Sequence, residues 1–312
     1  MAAVRGKRPR LVTIGDLTLD VVVRPEGAAE TGTDVPATIR FRAGGSAANT
    51  ARAFARLGGR ATFIGAVGDD RLAGLLRAAL HGDGVIAHLV TTRGRTARLI
   101  VSLAPGGERS FLTDRGVADA LAWRAVRPAW LAGADALHLP AYSLLTAPLA
   151  QTALEAARGA HAAGALVSVD LASKRPLLAT GPAVARATIS AVGAAVLFAN
   201  RDEALALAGR GGMRRLLDLA PICVVKAGAA GCTVMWMSDN GKVTQIDIAA
   251  RRLAVADSTG AGDAFDAGFL YSLISIDRAR GALRRLDLRH AAYDGQKAAA
   301  AFIRGARKEL TL

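Results

Sequence analysis

The chain has 312 residues, of which 52% are hydrophobic and 21% are charged, and its mean hydropathy is +0.28. This composition excludes a chain that is disordered over most of its length, and it supplies enough apolar residues for the core of a large domain. The formal net charge is +14, but 34 of the 40 basic residues are arginines spread along the whole chain, so we expect a dispersed basic surface and no nucleic-acid partner.

Two features of the sequence bear on the cellular compartment. Cys223 and Cys232 are the only cysteines, and because their spacing fits neither a redox motif nor a metal pair, we expect two small core residues. The uncharged stretch at residues 136–154 contains His138 and two prolines, which excludes a membrane span. We therefore expect a cytoplasmic protein with no membrane partner.

The chain alternates apolar strands with segments of helical periodicity. Strands are predicted at residues 11–16, 61–67, 136–139, 165–169, 194–198 and 222–226, with a β segment at 232–248 that turns at 239–241. Helices are predicted at residues 46–57, 70–81, 147–163, 201–208, 214–219, 262–275 and 288–303. Such alternation predicts an α/β fold with a mostly parallel sheet that helices cover on both faces.

Two β-rich segments interrupt the alternation, at about residues 21–41 and 88–115, and the second carries a turn at residues 105–107. Neither segment has helices beside it that could cover its faces. We therefore expect both to form one small sheet next to the main sheet, within a single domain of residues 1–312.

A glycine-rich segment near the C-terminus reads Asp257-Ser-Thr-Gly-Ala-Gly-Asp-Ala-Phe265 and precedes an apolar helix. Gly260 and Gly262 allow a tight turn, and free backbone amides at the start of a helix bind anions. Asp263 would lie beside that anion site, where its carboxylate could take a proton from an alcohol. The alternative is that Asp263 only caps a helix after a glycine turn.

A second glycine motif lies at residues 44–58, where a glycine pair opens a helix. The absent side chains of Gly44 and Gly45 allow a ligand to approach the backbone closely, and Asn49 in the first turn both donates and accepts hydrogen bonds. Taken alone, this segment could be an ordinary helix of small residues packed on a sheet.

Together the two motifs resemble the signatures of the PfkB (ribokinase-like) carbohydrate kinase family, and the resemblance runs from residue 11 to about residue 305. Three shorter matches follow the family order: the turn at residues 15–20, the Asn-x-x-Glu motif at residues 200–203, and the glycine loop at residues 225–231. Each has a structural alternative. Asp16 or Asp20 could end a strand, and Asn200 with Glu203 could form a helix capping box.

The resemblance implies a ribokinase-like three-layer α/β/α domain whose small sheet is a lid, and a kinase that uses ATP and Mg²⁺. It implies that Asp263 is the general base, ionised at neutral pH as an ordinary aspartate is. It further implies the following roles. The amides of Gly260, Ala261 and Gly262 stabilise the transferring group; Asp16, Asp20, Gly44, Gly45 and Asn49 bind substrate; Asn200, Lys226, Gly228, Gly231, Gly260 and Gly262 bind nucleotide; Glu203 and Asn200 hold Mg²⁺ through water; Asp257 and Thr259 lie near a monovalent-cation (K⁺) site.

The lids of many family members pair into a homodimer, and the sequence leaves open whether this chain does so. The chain also departs from the family pattern, mildly at Ser258, where Thr is commoner, and more clearly in two other segments. Residues 170–175 read Asp-Leu-Ala-Ser-Lys-Arg where many members have Asp-Pro-Asn-x-Arg. Residues 138–143 lack the acidic sugar contact of ribokinases, which makes ribose a doubtful substrate.

The sequence thus predicts an ATP-dependent kinase that phosphorylates a hydroxymethyl group of a sugar or sugar-like molecule, whose identity stays open. The nearest alternative is a nucleoside kinase of the same fold, for which Phe41, Phe111 and Tyr142 could form an apolar wall against the base. A third reading, a nucleic-acid-binding regulator without catalysis, fits the positive charge but not the presence of Asp263.

Overall fold

The computed structural model describes residues 8–28, 31–103, 109–238, 240–250, 257–305 without 281–284, and 308–311. Thirteen strands and eight α-helices are found within these ranges. The strands are β1 (Arg10–Ile14), β2 (Thr18–Pro25), β3 (Ala37–Gly44), β4 (Arg60–Gly68), β5 (Ile86–Thr92), β6 (Arg98–Leu103), β7 (Arg109–Asp114), β8 (Ala136–Pro140), β9 (Leu166–Asp170), β10 (Val196–Asn200), β11 (Ile222–Lys226), β12 (Cys232–Met237) and β13 (Val243–Ile248). The helices are α1 (Ser46–Arg56), α2 (Arg71–Gly82), α3 (Leu149–Ala162), α4 (Lys174–Leu177), α5 (Pro182–Ser190), α6 (Arg201–Ala208), α7 (Ala261–Arg280) and α8 (Arg285–Arg304).

Nine strands form the main sheet, in the order β13-β12-β11-β10-β9-β8-β1-β4-β5. The seven strands from β11 to β5 run parallel, whereas β12 pairs antiparallel with both of its neighbours. Most of the central strands are buried on both faces, as expected of parallel strands between two layers of helices. The predicted α/β fold with a mostly parallel sheet is confirmed.

Two hydrophobic cores lie on the opposite faces of the main sheet. On one face α1, α2, α7 and α8 contribute large side chains, among them Phe54, Leu76 and Phe269. On the other face α3, α5 and α6 contribute Leu149, Ile189 and Leu207. The result is a three-layer α/β/α arrangement that places the N-termini of α1 and α7 side by side at the carboxyl edge of the sheet.

A separate four-stranded sheet has the order β3-β2-β6-β7. It has its own small core of Val22, Val101 and Leu103, with Leu99 packed against it. We call it the small sheet. Its inner face, which carries Val22 and Asp20, is turned towards the edge of the main sheet where α1 begins.

Several sequence predictions need correction. The strand Ile86–Thr92 pairs parallel with β4 in the main sheet, so the β-rich segment predicted from residue 88 enters the small sheet only at residue 98. The predicted helix at 214–219 is a 3₁₀ helix over Met213–Asp218, and α4 and α5 were not predicted. The turn at 105–107 and residue 239 of the turn at 239–241 lie outside the described residues.

A buried ion cluster holds α7 against the ends of β9 and β11. The amine of Lys226 lies 3.0 Å from a carboxylate oxygen of Asp170 and 2.9 Å from one of Asp266, on α7. Burial alone would raise the pKa of Asp170, but the charge of Lys226, the hydrogen bonds with Asp266 and Lys226, and the proximity of His138 together lower that pKa. Burial and the neighbouring Asp170 raise the pKa of Asp266 well above its ordinary value. The cluster therefore fixes the position from which α7 presents its first turn.

No helix in the described part of the chain is long and apolar enough to cross a membrane.

Candidate active site

The side chain of Asp263 lies between the first turns of α7 and α1. Its Oδ1 accepts a hydrogen bond of 2.7 Å from the hydroxyl of Ser46, and its Oδ2 accepts one of 3.0 Å from Nδ2 of Asn49. The two glycine motifs, more than 200 residues apart in the chain, therefore meet at a single carboxylate. The structure brings together Asp263 and Asn49, both predicted as site residues, and adds Ser46, which the sequence analysis did not select.

The environment of Asp263 changes its ionisation. The pKa of its carboxyl group is raised to about 7, chiefly by burial and also by the negative charge of Asp170, while the hydrogen bonds from Ser46 and Asn49 and the charge of Lys226 lower it. The expectation that this group is fully ionised at neutral pH is therefore wrong for the ligand-free protein. A carboxyl group with a pKa near 7 exchanges protons readily at physiological pH.

Backbone geometry requires glycine at the turn that opens α7. Gly260 has a φ of +83°, and a Cβ atom there would lie 2.9 Å from the ring of Phe302. A Cβ at Gly262 would lie 3.4 Å from the amine of Lys226, so this cation is just beneath the first turn of the helix. Free amides at a helix N-terminus with a buried cation nearby form a suitable environment for an anion.

Asp20 lies on the inner face of the small sheet, beside the start of α1. Its Oδ1 accepts a hydrogen bond of 2.5 Å from the hydroxyl of Thr18. Burial raises the pKa of Asp20 to about 7, and the charges of Asp16 and Asp263 contribute in the same direction. A Cβ at Gly44 would lie 2.1 Å from Oδ2 of Asp20, so the missing side chain makes room for this carboxyl group.

Asp16 is buried at the turn after β1. Its Oδ1 accepts a hydrogen bond of 3.3 Å from the backbone N–H of Ala47, at the start of α1. Gly45 is required next to it, because its φ is +98° and a Cβ there would lie 2.4 Å from the carbonyl oxygen of Asp16. The guanidinium of Arg115 lies 3.6 Å from Asp16 and is also paired with Asp119. The sequence analysis missed Arg115 because no motif contains it.

In the segment at residues 138–143, buried side chains form hydrogen bonds within the core, and one side chain, that of Tyr142, lies next to Arg115 near Asp16. His138 is fully buried, with Nδ1 3.0 Å from the hydroxyl of Ser168, and the hydroxyl of Ser143 donates to the carbonyl of Ile14. Tyr142, by contrast, lies under the guanidinium of Arg115, 5.1 Å from it.

Asn200 and Glu203 form a helix capping box at the start of α6. Oδ1 of Asn200 accepts from the backbone N–H of Glu203 at 2.9 Å, and Oε2 of Glu203 accepts from the backbone N–H of Asn200 at 2.8 Å. Burial raises the pKa of Glu203 to about 7, and the nearby charge of Asp170 adds to this effect. The capping role that the sequence allowed is thus present in the structure.

These residues fit a magnesium ion that is bound through water. Among the described residues no group of three or more His, Cys, Asp or Glu side chains is placed to hold a metal alone. Mg²⁺, however, keeps several of its waters and takes phosphate oxygens as ligands. Glu203 and Asp170 are two buried carboxyl groups near each other, and a divalent cation would relieve the repulsion that raises the pKa of Glu203.

The predicted nucleotide loop after β11 has the expected backbone, but its lysine is occupied. Gly231 has a φ of +101°, and a Cβ there would lie 1.9 Å from the carbonyl oxygen of Ile248; Gly228 also has a positive φ, of +55°. The amine of Lys226 is bound to Asp170 and Asp266. Lys226 therefore lies beneath the site, and its amine is not an open donor on the loop surface.

The predicted monovalent-cation residues face arginines of the small sheet. Oδ2 of Asp257 lies 2.9 Å from Nη1 of Arg42 in β3, and Oδ1 accepts a hydrogen bond of 2.9 Å from the backbone N–H of Thr259. The side chain of Arg109 in β7 donates to the hydroxyl of Ser258 at 2.7 Å. The guanidinium of Arg42 thus already pairs with the carboxylate of Asp257, and these residues do not fit an additional cation such as K⁺.

The comparisons with known proteins agree with this geometry. The model of the pfkB family carbohydrate kinases matches residues 8–307 of the chain. Probable fructokinase-4 of Arabidopsis thaliana is 32% identical over 294 residues, which cover 89% of this chain and 86% of that protein. Fructokinase-2 of Oryza sativa subsp. japonica is 30% identical over 290 residues, covering 88% and 83%.

Solved structures of similar fold cover nearly the whole chain. The adenosine kinase from Sinorhizobium meliloti superimposes with a TM-score of 0.78 at 25% identity, covering 95% of this chain and 94% of that one. The ribokinase from Giardia lamblia gives a TM-score of 0.81 at 19% identity, covering 96% and 94%. The three-layer arrangement with a small sheet is thus the ribokinase fold, and the chain belongs to the pfkB family of carbohydrate kinases.

Proposed function

We propose that this enzyme transfers the γ-phosphate of ATP to a hydroxymethyl group of a sugar or sugar-like acceptor, with Asp263 as the general base. The observation that carries the proposal is the carboxyl group of Asp263, which is held by Ser46 and Asn49 at the N-terminus of α7 and has a pKa of about 7. Membership of a family of carbohydrate kinases supports the reaction class.

Residues of the chain accept the hydroxyl proton of the acceptor and stabilise the negative charge that develops on the transferring phosphoryl group. Asp263 takes the hydroxyl proton of the acceptor, while the hydrogen bonds from Ser46 and Asn49 fix the direction in which its carboxylate points. The backbone N–H of Ala261 already donates to the carbonyl oxygen of Ser258 at 3.0 Å, so the predicted role of this amide needs correction. The amides of Gly260 and Gly262 face the transferring group, and the positive end of α7 reinforces them. Phosphoryl transfer depends mainly on such positioning and charge stabilisation.

The acceptor site lies between the small sheet and α1. Asp20 and Asn49 bind the acceptor's hydroxyl groups, and Asp16 lies on the opposite side of the same glycine pair, Gly44 and Gly45. With the small sheet above it, the acceptor is shielded from water, which would otherwise compete for the phosphoryl group. The fructokinase relatives make a ketose the first acceptor to test.

The nucleotide lies against the ends of β10 and β11, where Asn200, Gly228 and Gly231 surround it. The amine of Lys226 lies beneath the first turn of α7, where its positive charge attracts the phosphates of the nucleotide without contacting them. Mg²⁺ held through water by Glu203 and Asn200 would neutralise the phosphates of ATP.

A nucleoside kinase is the second candidate, and one observation favours it. The guanidinium of Arg115 lies 5.1 Å from the ring of Tyr142 and 3.6 Å from Asp16, so a flat aromatic surface borders the acceptor site. The similar structure of an adenosine kinase agrees with this alternative. Of the two small-sheet aromatics predicted for the wall against the base, Phe111 lies on the inner face and is exposed, and Phe41 lies on the outer face, away from the acceptor site.

The outer face of the small sheet supports a homodimer. The register of the strands places Val21, Phe41, Ile39, Ile100 and Leu112 on one face. Ile39, Ile100 and Leu112 are 55%, 40% and 66% exposed in the single chain. A second copy of this face would remove these side chains from water.

We place the enzyme in the cytoplasm, where ATP is supplied. The free thiols of Cys223 and Cys232 are consistent with a reducing compartment.

The reaction is tested by measuring ADP release against sugars, ketoses, sugar acids, sugar phosphates and nucleosides, with Asp263→Asn as the matched inactive variant. With the best acceptor we expect this variant to lower kcat by about 10²-fold or more, because the base is lost, and to bind ATP almost normally in calorimetry. Asp218→Asn, which changes an exposed carboxylate far from the site, should behave as wild type. An Asp263→Asn variant that keeps a third of the wild-type kcat, with the chemical step limiting, would falsify the base assignment.

The acceptor site is tested with Asp20→Ala. A hydrogen bond to a charged group contributes about 1.5–3 kcal/mol, so kcat/KM for the acceptor should fall by at least about tenfold while the Kd for ATP stays the same. Asp34→Ala, in the exposed loop between β2 and β3, is the control. Weakened ATP binding with an unchanged acceptor KM would show that the two halves of the site are assigned the wrong way round.

The metal site is tested with Glu203→Gln, which removes one negative charge facing the cation. We expect the variant to need a higher Mg²⁺ concentration for its half-maximal rate. Asp202→Asn, an exposed neighbour in the same helical turn, controls for the general charge of α6. If the Mg²⁺ titrations of Glu203→Gln and wild type coincide, Glu203 serves only as a helix cap.

A further inference from the structure

The carboxylate of Asp257 is held on both of its oxygens. Nη1 of Arg42 lies 2.9 Å from Oδ2, and the backbone N–H of Thr259 donates to Oδ1 at 2.9 Å. The two side chains are largely shielded from water, with 17% of Arg42 and 11% of Asp257 exposed. Because a shielded ion pair is screened little by salt, this pair depends less on salt concentration than the surface pairs elsewhere on the chain.

The charges around this ion pair already favour an anion over a further cation. A cavity of about 40 Å³ adjoins the pair. The charged side chains that line it are Asp20, Arg42, Arg52, Arg56, Asp257 and Lys308. Asp83 pairs with three of the cations, Arg52, Arg56 and Lys308. Among the described residues, the four cations of this lining face the carboxyl groups of Asp20 and Asp257, and the adjoining Asp83 brings the number of carboxyl groups to three. Even with all three ionised, the positive charge is in excess, so an additional cation would be repelled.

Arg42 and Arg109 come from the two edge strands of the small sheet and reach the same segment of the chain. Arg42 in β3 lies opposite Asp20 in β2, so it belongs to the inner face that borders the acceptor site. Arg109 in β7 donates to the hydroxyl of Ser258 at 2.7 Å. The small sheet is therefore tied at both edges to the residues that directly precede the amides of Gly260 and Gly262.

We propose that Arg42 is a built-in replacement for a monovalent cation at Asp257, so that the enzyme works without K⁺ and the small sheet is coupled to the turn that opens α7. This inference rests on the proposed kinase function. An uncompensated carboxylate three residues before Gly260 would weaken the anion site at that turn. Arg42 can neutralise the carboxylate of Asp257 only while the small sheet lies over the acceptor site. The affinity of the turn before α7 for an anion therefore depends on whether the small sheet covers the acceptor.

The first experiment replaces tetramethylammonium chloride by KCl at constant ionic strength. We expect neither the kcat/KM nor the Tm of the wild-type protein to change. The Tm measurement requires no acceptor, so it tests whether K⁺ binds even if no acceptor is phosphorylated. A failure to phosphorylate any acceptor would count against the proposed function alone. A rise in either quantity with K⁺ overturns the proposal.

The second experiment removes the guanidinium. Arg42→Ala should lower kcat/KM by about tenfold, the loss expected for one hydrogen bond between charged groups. Added K⁺ or guanidinium should then raise the rate of this variant by about fivefold, which corresponds to a modest coupling between the cation position at Asp257 and the anion site. The rate of the wild type should not change. Arg40→Ala is the matched control, because Arg40 lies two residues away on the same strand and, within the described part of the chain, forms an ion pair only with the exposed Glu309.

A merely structural role of Arg42 would not produce a cation response that appears only in the variant. Unchanged activity in Arg42→Ala, or a loss that neither cation restores, overturns the proposal. Arg42→Lys keeps a positive charge on a side chain of similar length, so it should retain more activity than Arg42→Ala and should not respond to K⁺. This variant and the wild-type titration decide the question if Arg42→Ala fails to fold.

Discussion

Carboxyl groups are crowded at the carboxyl ends of the parallel strands, and the rest of the site depends on how their charges are balanced. One buried amine, that of Lys226, is bound by Asp170 and Asp266. Asp263 is left with hydrogen bonds from two neutral side chains, and burial raises its pKa to about 7. Ionising such a group costs free energy in the folded protein. The same crowding brings the pKa of the proposed base close to physiological pH and leaves a set of carboxyl groups that a divalent cation would stabilise.

The two glycine motifs make this crowding possible because they allow helices to begin close to one another. Gly44 leaves room for the carboxyl group of Asp20, and Gly260 allows the turn before α7 to pass the ring of Phe302. The small sheet then contributes Asp20 from its inner face and Arg42 from the strand beside it. The proposed acceptor site and the proposed anion site are therefore built from segments that contact each other directly, which is the arrangement that an in-line transfer between two substrates needs.

The sequence predicted the α/β fold, the start of α1, and both Asn49 and Asp263 as site residues, because glycine pairs, helical periodicity and polar residues at helix starts are local signals. It did not predict the hydrogen bond between Asn49 and Asp263, which joins residues 214 positions apart. It did not predict that β5 joins the main sheet, since an apolar strand can pair in either sheet. The partnership of Lys226 with Asp266 was also missed, because Asp266 is a single acid within an apolar helix and its partner is 40 residues away. Arg42 and Arg109 escaped notice for the same reason: contacts over 215 and 149 residues leave no pattern in the sequence.

The account depends most on the ionisation of Asp263. It is measured directly by following the side-chain carboxyl carbons of ¹³C-labelled aspartate by NMR as a function of pH in the ligand-free protein. The resonance that is missing in Asp263→Asn identifies the residue. We predict a midpoint at about 7, which corresponds to a partly buried carboxyl group held by Ser46 and Asn49. A midpoint near the ordinary aspartate value of about 3.9 would contradict this prediction, because the environment would then not disfavour the ionised form and Asp263 would be a weaker base.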